Sequence, residues 1–347
     1  MKIAFVVNEL QTEEAGYTTT HLAMEAVNRG HDVWYIDVAD FSACADNIIR
    51  ARARPAPRRH FRRDSAFLHA MQHEVSPVRL EVDALDVLML RNDPSTDAIR
   101  RPWARLAGVN FGRLAMRNGV ITLNDPDRLC QAMNKLYTLL FPEECRPRTL
   151  ITRDRGEILD FQQAQGGTIV LKPLAGSGGR NVFLVRPEDA PNINQMIDAV
   201  SYEGYVMAQE YLPAVRDGDT RLFMLNGKVL QVQGRYAAIR RERPGEDIRS
   251  NMTAGGKARR AVVTPRMLEL AEMVGPRLVQ DGMFLVGLDI VGDKLVEINV
   301  FSPGGLNAAQ RLEGVNFCRA VIESLERKVE FVRHHHHHFD NVEIAVY

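Results

Sequence analysis

The strongest constraint on the fold is a change of grammar at Asp125-Pro126. Before it, strand-length apolar runs alternate with helix-length amphipathic segments. KIAFVV (2–7) leads to TTTHLAMEAVNRG (18–30), which closes on Gly30, and then to DVWYIDV (32–38). LDVLMLR (85–91), WARLAGVNFGRLAMRNG (103–119) and VITLN (120–124) continue the alternation. Strands separated by helices predict an α/β unit with a parallel, doubly wound sheet. The turn after the first strand, NELQTEEAGY, carries one glycine rather than GxGxxG, so it excludes a dinucleotide site there. Beyond Asp125-Pro126 short strands succeed one another: PRTLITR (147–153), GGTIVLKP (166–173), NVFLVR (181–186), VMAQEYL (206–212), RLFMLNG (221–227) and KVLQVQGRY (228–236). The helix TPRMLELAEMVGPRLVQDG (264–282), the strands FLVGLDIVG (284–292) and KLVEINV (294–300), and a helix over 307–328 complete the pattern. This second half reads as α+β with mostly antiparallel sheets.

A chain of 347 residues exceeds one ordinary core, so two or three domains are expected. Lys plus Arg equals Asp plus Glu, at 44 each, and no global field favours nucleic acid or membrane. The four cysteines (Cys44, Cys130, Cys145, Cys318) are scattered without a CxxC pair, which suits a reducing compartment. The first hydrophobic run meets Asn8 and Glu9 at once, and no stretch reaches the length of a membrane span, so a cytoplasmic location is expected. Residues 48–63, IIRARARPAPRRHFRR, are strongly basic. Without interleaved aromatic side chains they read as a solvated loop or hairpin rather than a nucleic-acid arm.

Four stretches carry chemistry. In LKPLAGSGGRNV (171–182) a strand delivers Lys172, and Gly176, Ser177, Gly178 and Gly179 form a turn whose backbone N–H groups suit a polyphosphate. The order differs from a P-loop, and a glycine-rich hairpin also serves as a plain turn. In LDIVGDKLVEINVFSPGG (288–305), Asp289 lies on one strand, and Glu297 and Asn299, two apart on the next, share a face. Two carboxylates and an amide oxygen are hard donors suited to Mg²⁺; the alternative is an acidic strand face meeting water. In QEYLPAVRDGDTR (209–221) a strand ends at a bend fit for an adenine edge, and Asp219 and Arg221 suit a ribose hydroxyl and an anion. RRERPGEDIRSNMTAGGK (240–257) is long, polar and Arg-rich, either a lid bringing Arg241, Arg249 and Asn251 over anionic substrate or a plain connector. Lys135 is placed on a helix over 128–138, and Arg91 ends a strand at the sheet mouth, where a substrate carboxylate would bind.

Taken together, LMLRNDP, the NDP…NK segment, LKPLAGSGG, MAQEYLPAVRDGDTR, RSNMTAGG and VGLDIVGDKLVEINVFSP resemble bacterial glutathione synthetase in order and spacing, over about residues 1–330. The resemblance implies an ATP-grasp fold: a substrate domain at 1–125, a lid at 126–204, a catalytic domain at 205–330, and a histidine-containing tail at 331–347. It implies that ATP, γ-glutamylcysteine and glycine yield glutathione, ADP and phosphate through an acyl phosphate, in a homo-oligomer (dimer or tetramer), with no nucleic acid or membrane partner. Carried over, it puts Lys135, Lys172 and the 176–179 glycines on the phosphates, Gln209, Glu210, Tyr211 and Leu212 on adenine, and Asp219 on ribose. It also puts Asp289, Glu297 and Asn299 on Mg²⁺ (or Mn²⁺), and Arg221, Arg241, Arg249 and Asn251 on phosphate, acyl phosphate or peptide carboxylate. Arg91, Ser302, Gly304 and Gly305 fall on the substrate side.

Two departures touch acceptor recognition. After Ser302-Pro303 the family usually has Thr with Cys or Gly, whereas Gly304-Gly305-Leu306 is closer to ligases adding glutamate to peptides or proteins; Ser250 stands where Gly is frequent. A ligase using another amine, or a non-catalytic nucleotide binder, are the alternative readings. His334 to His338 lie past the family's end and read as a solvated tail.

Overall fold

The structure, a computed structural model, describes residues 1–43, 45–176, 179–202, 204–242, 257–335 and 339–347. Its first sheet contains β1 (Lys2–Val7), β2 (Asp32–Ala43), β3 (Ile49–Pro55), β4 (Val78–Glu81), β5 (Val87–Leu90) and β6 (Ile121–Leu123) in the order β4-β3-β2-β1-β5-β6. The β2-β1-β5-β6 part is parallel, as expected, and β1 and β5 are buried almost throughout because both faces are covered. The sheet is mixed rather than wholly parallel, since β3 pairs antiparallel with both β2 and β4.

That strand is one arm of a hairpin with β2, as the hairpin reading of the basic stretch expects, but it is half-buried rather than solvated. Ile49, Ala51 and Ala53 face the core, while Arg50 and Arg54 are half-buried and Arg52 is exposed. The alternation of Arg with Ala is the period-2 signature of a half-buried strand, hidden by charged composition. Helices α1 (Thr18–Asn28), α2 (Asp64–His73), α3 (Pro94–Arg100) and α4 (Ala107–Arg117) connect these strands.

A second, antiparallel sheet consists of β7 (Thr149–Thr152), β8 (Ile169–Pro173), β9 (Phe183–Val185) and β10 (Val206–Glu210), ordered β7-β10-β8-β9. With α6 (Arg155–Ala164) and α7 (Ile193–Ser201) it encloses its own small core around Ile158, Ile169, Leu171 and Ile197. Because β10 is an interior strand of this sheet, a division between residues 204 and 205 cuts the unit. The lid sheet borrows its second strand from the next segment. Ahead of it, α5 (Pro126–Gln131) is capped by Asp125, and Lys135 opens a separate 3-10 turn capped by Asn134, not the same helix.

The third sheet follows the order β16-β15-β11-β17-β18, from β11 (Asp219–Leu225), β15 (Ala238–Glu242), β16 (Lys257–Arg260), β17 (Leu285–Val291) and β18 (Lys294–Asn299). Residues 228–236 are not one strand but β12 (Lys228–Val229), β13 (Gln231–Val232) and β14 (Arg235–Tyr236), broken where Gln233 and Gly234 take φ of 51° and 74°. α8 (Pro265–Gln280) starts on a Thr264 cap with Pro265 at its first turn. The expected helix over 307–328 is two, α9 (Leu306–Glu313) and α10 (Phe317–His335), parted by Gly314 at φ 70°.

The first and third sheets share continuous cores: Phe5 and Tyr35 lie in one cluster with Phe223, Phe284 and Val321, and Val6 and Leu88 in another with Leu222, Leu288 and Val274. Asn124 joins them directly, donating to the carbonyls of Leu285 (3.2 Å) and Val300 (2.6 Å) and accepting from the Leu285 N–H (3.0 Å). Of the tail expected to be solvated, His334 and His335 are exposed, and the correction falls on the chain beyond the histidines, which packs back on the protein. α10 runs to His335, and α11 (Asn341–Val346) docks back with Ile344 and Ala345 buried. His336, His337 and His338 lie outside the described residues. Asn341 accepts from the Thr122 N–H (2.9 Å) and donates to the Thr122 carbonyl (2.8 Å) and the Asp125 carboxylate (2.9 Å). Truncation of Asn341→Ala strands the backbone groups of Thr122 on the end strand β6. A loss of about 2 kcal/mol in unfolding free energy, read by urea denaturation, is expected.

Candidate active site

The hairpin β17-β18 turns at Gly292, whose φ is 58°. It sets Asp289 opposite Glu297 and Gly287 opposite Asn299, with a bulge just after Asp289. The three candidate metal ligands therefore share a face. Across the sheet, β11 puts Arg221 opposite Asp289, and β15 puts Arg241 opposite Asp219. These two cross-strand pairs form one network. Arg221 grips Asp289 through Nε to Oδ1 and Nη2 to Oδ2, both 2.7 Å, and Arg241 reaches the same Oδ2 at 2.8 Å. Asn299 donates a further bond to that oxygen at 3.1 Å. Burial pushes the Asp289 carboxyl up, but the two guanidinium groups outweigh it and hold it well below the usual carboxylate range. Burial alone would lower Arg241; Asp289 and Asp219 reverse that and raise it.

A cavity lies between this face and the lid sheet. Lys172, Gly176, Gly179, Gln209 to Leu212, Asp219, Arg241, Asp289 and Glu297 line it, together with Lys135. Ser177, Gly178, Arg249 and Asn251 fall outside the described residues. The side chain of Lys172 donates to Gln209 Oε1 at 2.8 Å, and Lys135 donates to the carbonyls of Pro173 (3.1 Å) and Gly176 (3.0 Å). Both lysines thus sit on the rim of the glycine turn. Burial, followed by the neighbouring charge of Lys135, pushes Lys172 down to about 8.

Glu210 is at the cavity, with its carboxylate engaged by the backbone and guanidinium of Arg148 at 2.9 and 2.8 Å. Arg148 was not singled out in the sequence, and neither were Val170, Arg180, Val182, Val291 and Val296, which complete the walls. The valines carry no distinguishing signal, since apolar residues on or beside a strand do not say which cavity they face.

A second cavity adjoins the first. Asp93, Ser95, Asn134, Thr138, Asn299 and Ser302 contribute to its lining, and Lys135, Gly176 and Glu297 line both. Glu297 has no hydrogen-bond or ion-pair partner among the described residues, and the Asn299 amide oxygen has none either. Half-buried oxygen donors left open in a cavity that two lysines also line fit Mg²⁺. Asp289 fits less directly, because its oxygens already accept four bonds. No cluster of three His, Cys, Asp or Glu side chains suited to a metal occurs among the described residues.

Arg91 stands apart from both cavities. It is 5% exposed, and its guanidinium donates to Thr19 Oγ1 and the Pro303 carbonyl, both at 3.2 Å. Thr18 accepts from the Leu306 N–H at 3.2 Å, so Arg91 and Thr18 hold the 303–306 turn from two sides. Gly305 in that turn has φ 98°, and a Cβ there would lie 2.7 Å from Ile239. Gly304 has neither restriction: a Cβ there would meet open space, and its carbonyl accepts from Arg221 at 3.2 Å.

Two antiparallel sheets closing on a cavity lined by lysines, glycines and acidic strand residues define an ATP-grasp fold. Solved structures with this architecture include a D-cycloserine synthetase (TM-score 0.63, 16% identity, covering 94% of this chain and 99% of that one). An ATP-grasp ligase complexed with a minimal precursor is similar too (TM-score 0.59, 16% identity, 93% and 98% covered). At that identity they show the fold alone.

Residues 1–129 match the N-terminal domain of prokaryotic glutathione synthetase, and residues 134–314 match its ATP-grasp domain. Glutathione synthetase of Brucella melitensis biotype 1 is 32% identical over 331 residues, 94% of this chain and 99% of the relative. That of Gloeobacter violaceus is 34% identical over 342 residues, 96% and 98%. The chain belongs to the prokaryotic glutathione synthetase family. No described helix is long and apolar enough to cross a membrane.

The depressed Lys172 gives a sign for the pH dependence of nucleotide binding. A polyphosphate favours the charged lysine, so binding above pH 8 requires proton uptake. ADP affinity is expected to be flat below that pH and to fall about tenfold per pH unit well above it. Titration calorimetry from pH 7 to 9.5 reads this out, and Lys172→Gln should bind weakly with the slope removed.

Proposed function

We propose that the chain is an ATP-dependent carboxylate–amine ligase joining γ-glutamylcysteine to glycine, with release of ADP and phosphate. The observation that carries this reading is the meeting of two cavities at Lys135, Gly176 and Glu297. A nucleotide held under the glycine turn directs its terminal phosphate toward the second cavity, where a substrate carboxylate would wait. The carboxylate oxygen attacks the γ-phosphorus and ADP leaves. The amine nitrogen then attacks the acyl carbon, phosphate departs, and the amine proton passes to solvent.

Little covalent help is required, so positioning and charge neutralisation supply the rate. Lys135 and Lys172 hold phosphate oxygens, and Gln209 orients Lys172 while donating to Thr149 Oγ1 at 3.0 Å. Arg221 presents positive charge at the Gly304 carbonyl, and Arg241 lines the nucleotide cavity. Mg²⁺ (or Mn²⁺), when bound, would be held by Glu297 and Asn299 with Asp289 behind them, and would neutralise phosphate charge. A cytoplasmic homo-oligomer, dimer or tetramer, completes the proposal; light scattering measures the latter.

The test is ADP release with Mg-ATP, γ-glutamylcysteine and glycine, each omitted in turn, with product mass read alongside. Turnover requiring both substrates and a glutathione mass supports the reading, and Glu297→Gln should lower kcat by about 100-fold. ADP binding without turnover on any peptide–amine pair would leave a nucleotide binder.

One observation favours a second acceptor. The open space at Gly304 admits an amine larger than glycine at the turn that Arg221 holds. A ligase for another amino acid would turn over γ-glutamylcysteine with alanine or serine at least as fast as with glycine. Gly304→Thr would then lower the larger acceptor's kcat/KM about tenfold and spare glycine.

A further inference from the structure

Between the first sheet and the lid the chain makes the 3-10 turn Lys135–Leu140. Its first residue is tied to the lid. The Lys135 N–H donates to the Leu174 carbonyl at 3.0 Å, and its ammonium group donates to the carbonyls of Pro173 and Gly176. Two residues on, the turn is tied elsewhere. Tyr137 is 4% exposed and packs edge-on against Phe141, with ring centroids 5.2 Å apart, in the core that also holds Leu278, Met283 and Leu288.

The Tyr137 hydroxyl donates to Asp281 Oδ2 at 2.9 Å, across 144 positions of sequence, and Arg277 Nε donates to the same oxygen at 2.7 Å. Asp281, 1% exposed, caps the end of α8. The carbonyl that follows it, of Gly282, accepts from the Asp125 N–H at 3.2 Å, so the acceptor is itself fixed to the start of α5. Burial, followed by Asp281, pushes the Tyr137 phenol well above its ordinary value, and the hydroxyl keeps its proton and stays a donor. Asp281 and Arg277 line neither cavity, and Tyr137 lines only the second. A buried phenol bonded to a buried carboxylate is directional, and it fixes the turn more narrowly than packing of the ring would.

We propose that Tyr137 is a positioning residue for phosphoryl transfer, whose hydrogen bond to Asp281 sets where Lys135 stands at the junction of the two cavities. This rests on the first cavity being a nucleotide site. Tyr137 acts through the turn. Without the bond, the lid contacts of Lys135 alone place its ammonium group, and a small displacement there costs most where charge develops between nucleotide and substrate. Lys172, Gln209 and the wall at Tyr211 and Leu212 do not depend on this bond, so the nucleotide still binds. The expected signature is a loss in kcat with nucleotide affinity kept.

The experiment uses the full chain. ADP is titrated calorimetrically into wild type and Tyr137→Phe, and kcat and KM for ATP are measured with γ-glutamylcysteine and whichever acceptor turns over fastest. Tyr137→Phe should lower kcat about tenfold and keep the ADP Kd within about threefold. Asp281 Oδ1 has no hydrogen-bond partner among the described residues, so this variant leaves the carboxylate to Arg277 alone and should lose stability as well. The double variant Tyr137→Phe/Asp281→Leu makes both partners apolar and should recover the urea midpoint. Its kcat should remain about tenfold down.

A kcat within about twofold of wild type in that double variant would overturn the proposal, because the pair would then serve the fold alone. Weakening of ADP in step with kcat would overturn it too. Lys135→Gln supplies the last check. In that background Tyr137→Phe should cost less than about twofold in kcat, and a further tenfold loss would show that Tyr137 acts independently of Lys135 and contradict the proposal. Wild type that fails to bind ADP at all would sink the nucleotide reading itself, a result distinct from any of these.

Discussion

Two cross-strand ion pairs, Asp219 with Arg241 and Arg221 with Asp289, tie three strands of the catalytic sheet into one charged wall. Asp219, Arg241 and Asp289 are each no more than 5% exposed. Such a set is expensive to desolvate, and replacing it with packed apolar side chains would often stabilise a protein. Its persistence in an otherwise apolar sheet is therefore an argument for chemistry. Breaking one member would leave an uncompensated buried charge, costing about 3–5 kcal/mol. The network is neutral as a whole, and it fixes two guanidinium groups against Asp219 and Asp289.

The remaining architecture delivers partners to that wall. Asn124 pins the end of the first sheet to β17 and to the chain beyond β18, and Asn341 ties the C-terminal helix to β6 and to Asp125, the cap of the helix leading into the lid. The first and third sheets share their cores, whereas the lid carries a small core of its own. Arg91 belongs to this scaffold too. A cation at the mouth of a parallel sheet suggests a ligand, but here it secures the Pro303 turn, with burial lowering it to about 10.

Much of the fold was legible. Period-2 and helical patterns placed β1, β5, β17, β18, α1 and α8 to within a few residues, because each buries one uninterrupted face or both. Misreadings share a physical cause. In residues 49–55 the arginines mask, in composition, the period-2 alternation that buries one face of the hairpin strand. The helix expected over 307–328 was cut at Gly314, whose left-handed backbone carries no hydrophobic signature. β10 went to the wrong unit because a strand's sequence does not name the sheet it joins.

The site divides the same way. The sequence by itself determined whatever depends on neighbours along the chain: Lys172 beside its glycine turn, and Asp289, Glu297 and Asn299 on one hairpin face, where the turn at Gly292 and the period of two leave no other arrangement. The tertiary structure alone decided which distant charges met. Asp219 with Arg241, Arg148 with Glu210 and Arg91 with the Pro303 carbonyl join residues 22, 62 and 212 positions apart. A charged side chain on a strand face admits many partners of opposite sign, and only the order of strands in the folded sheet chooses among them.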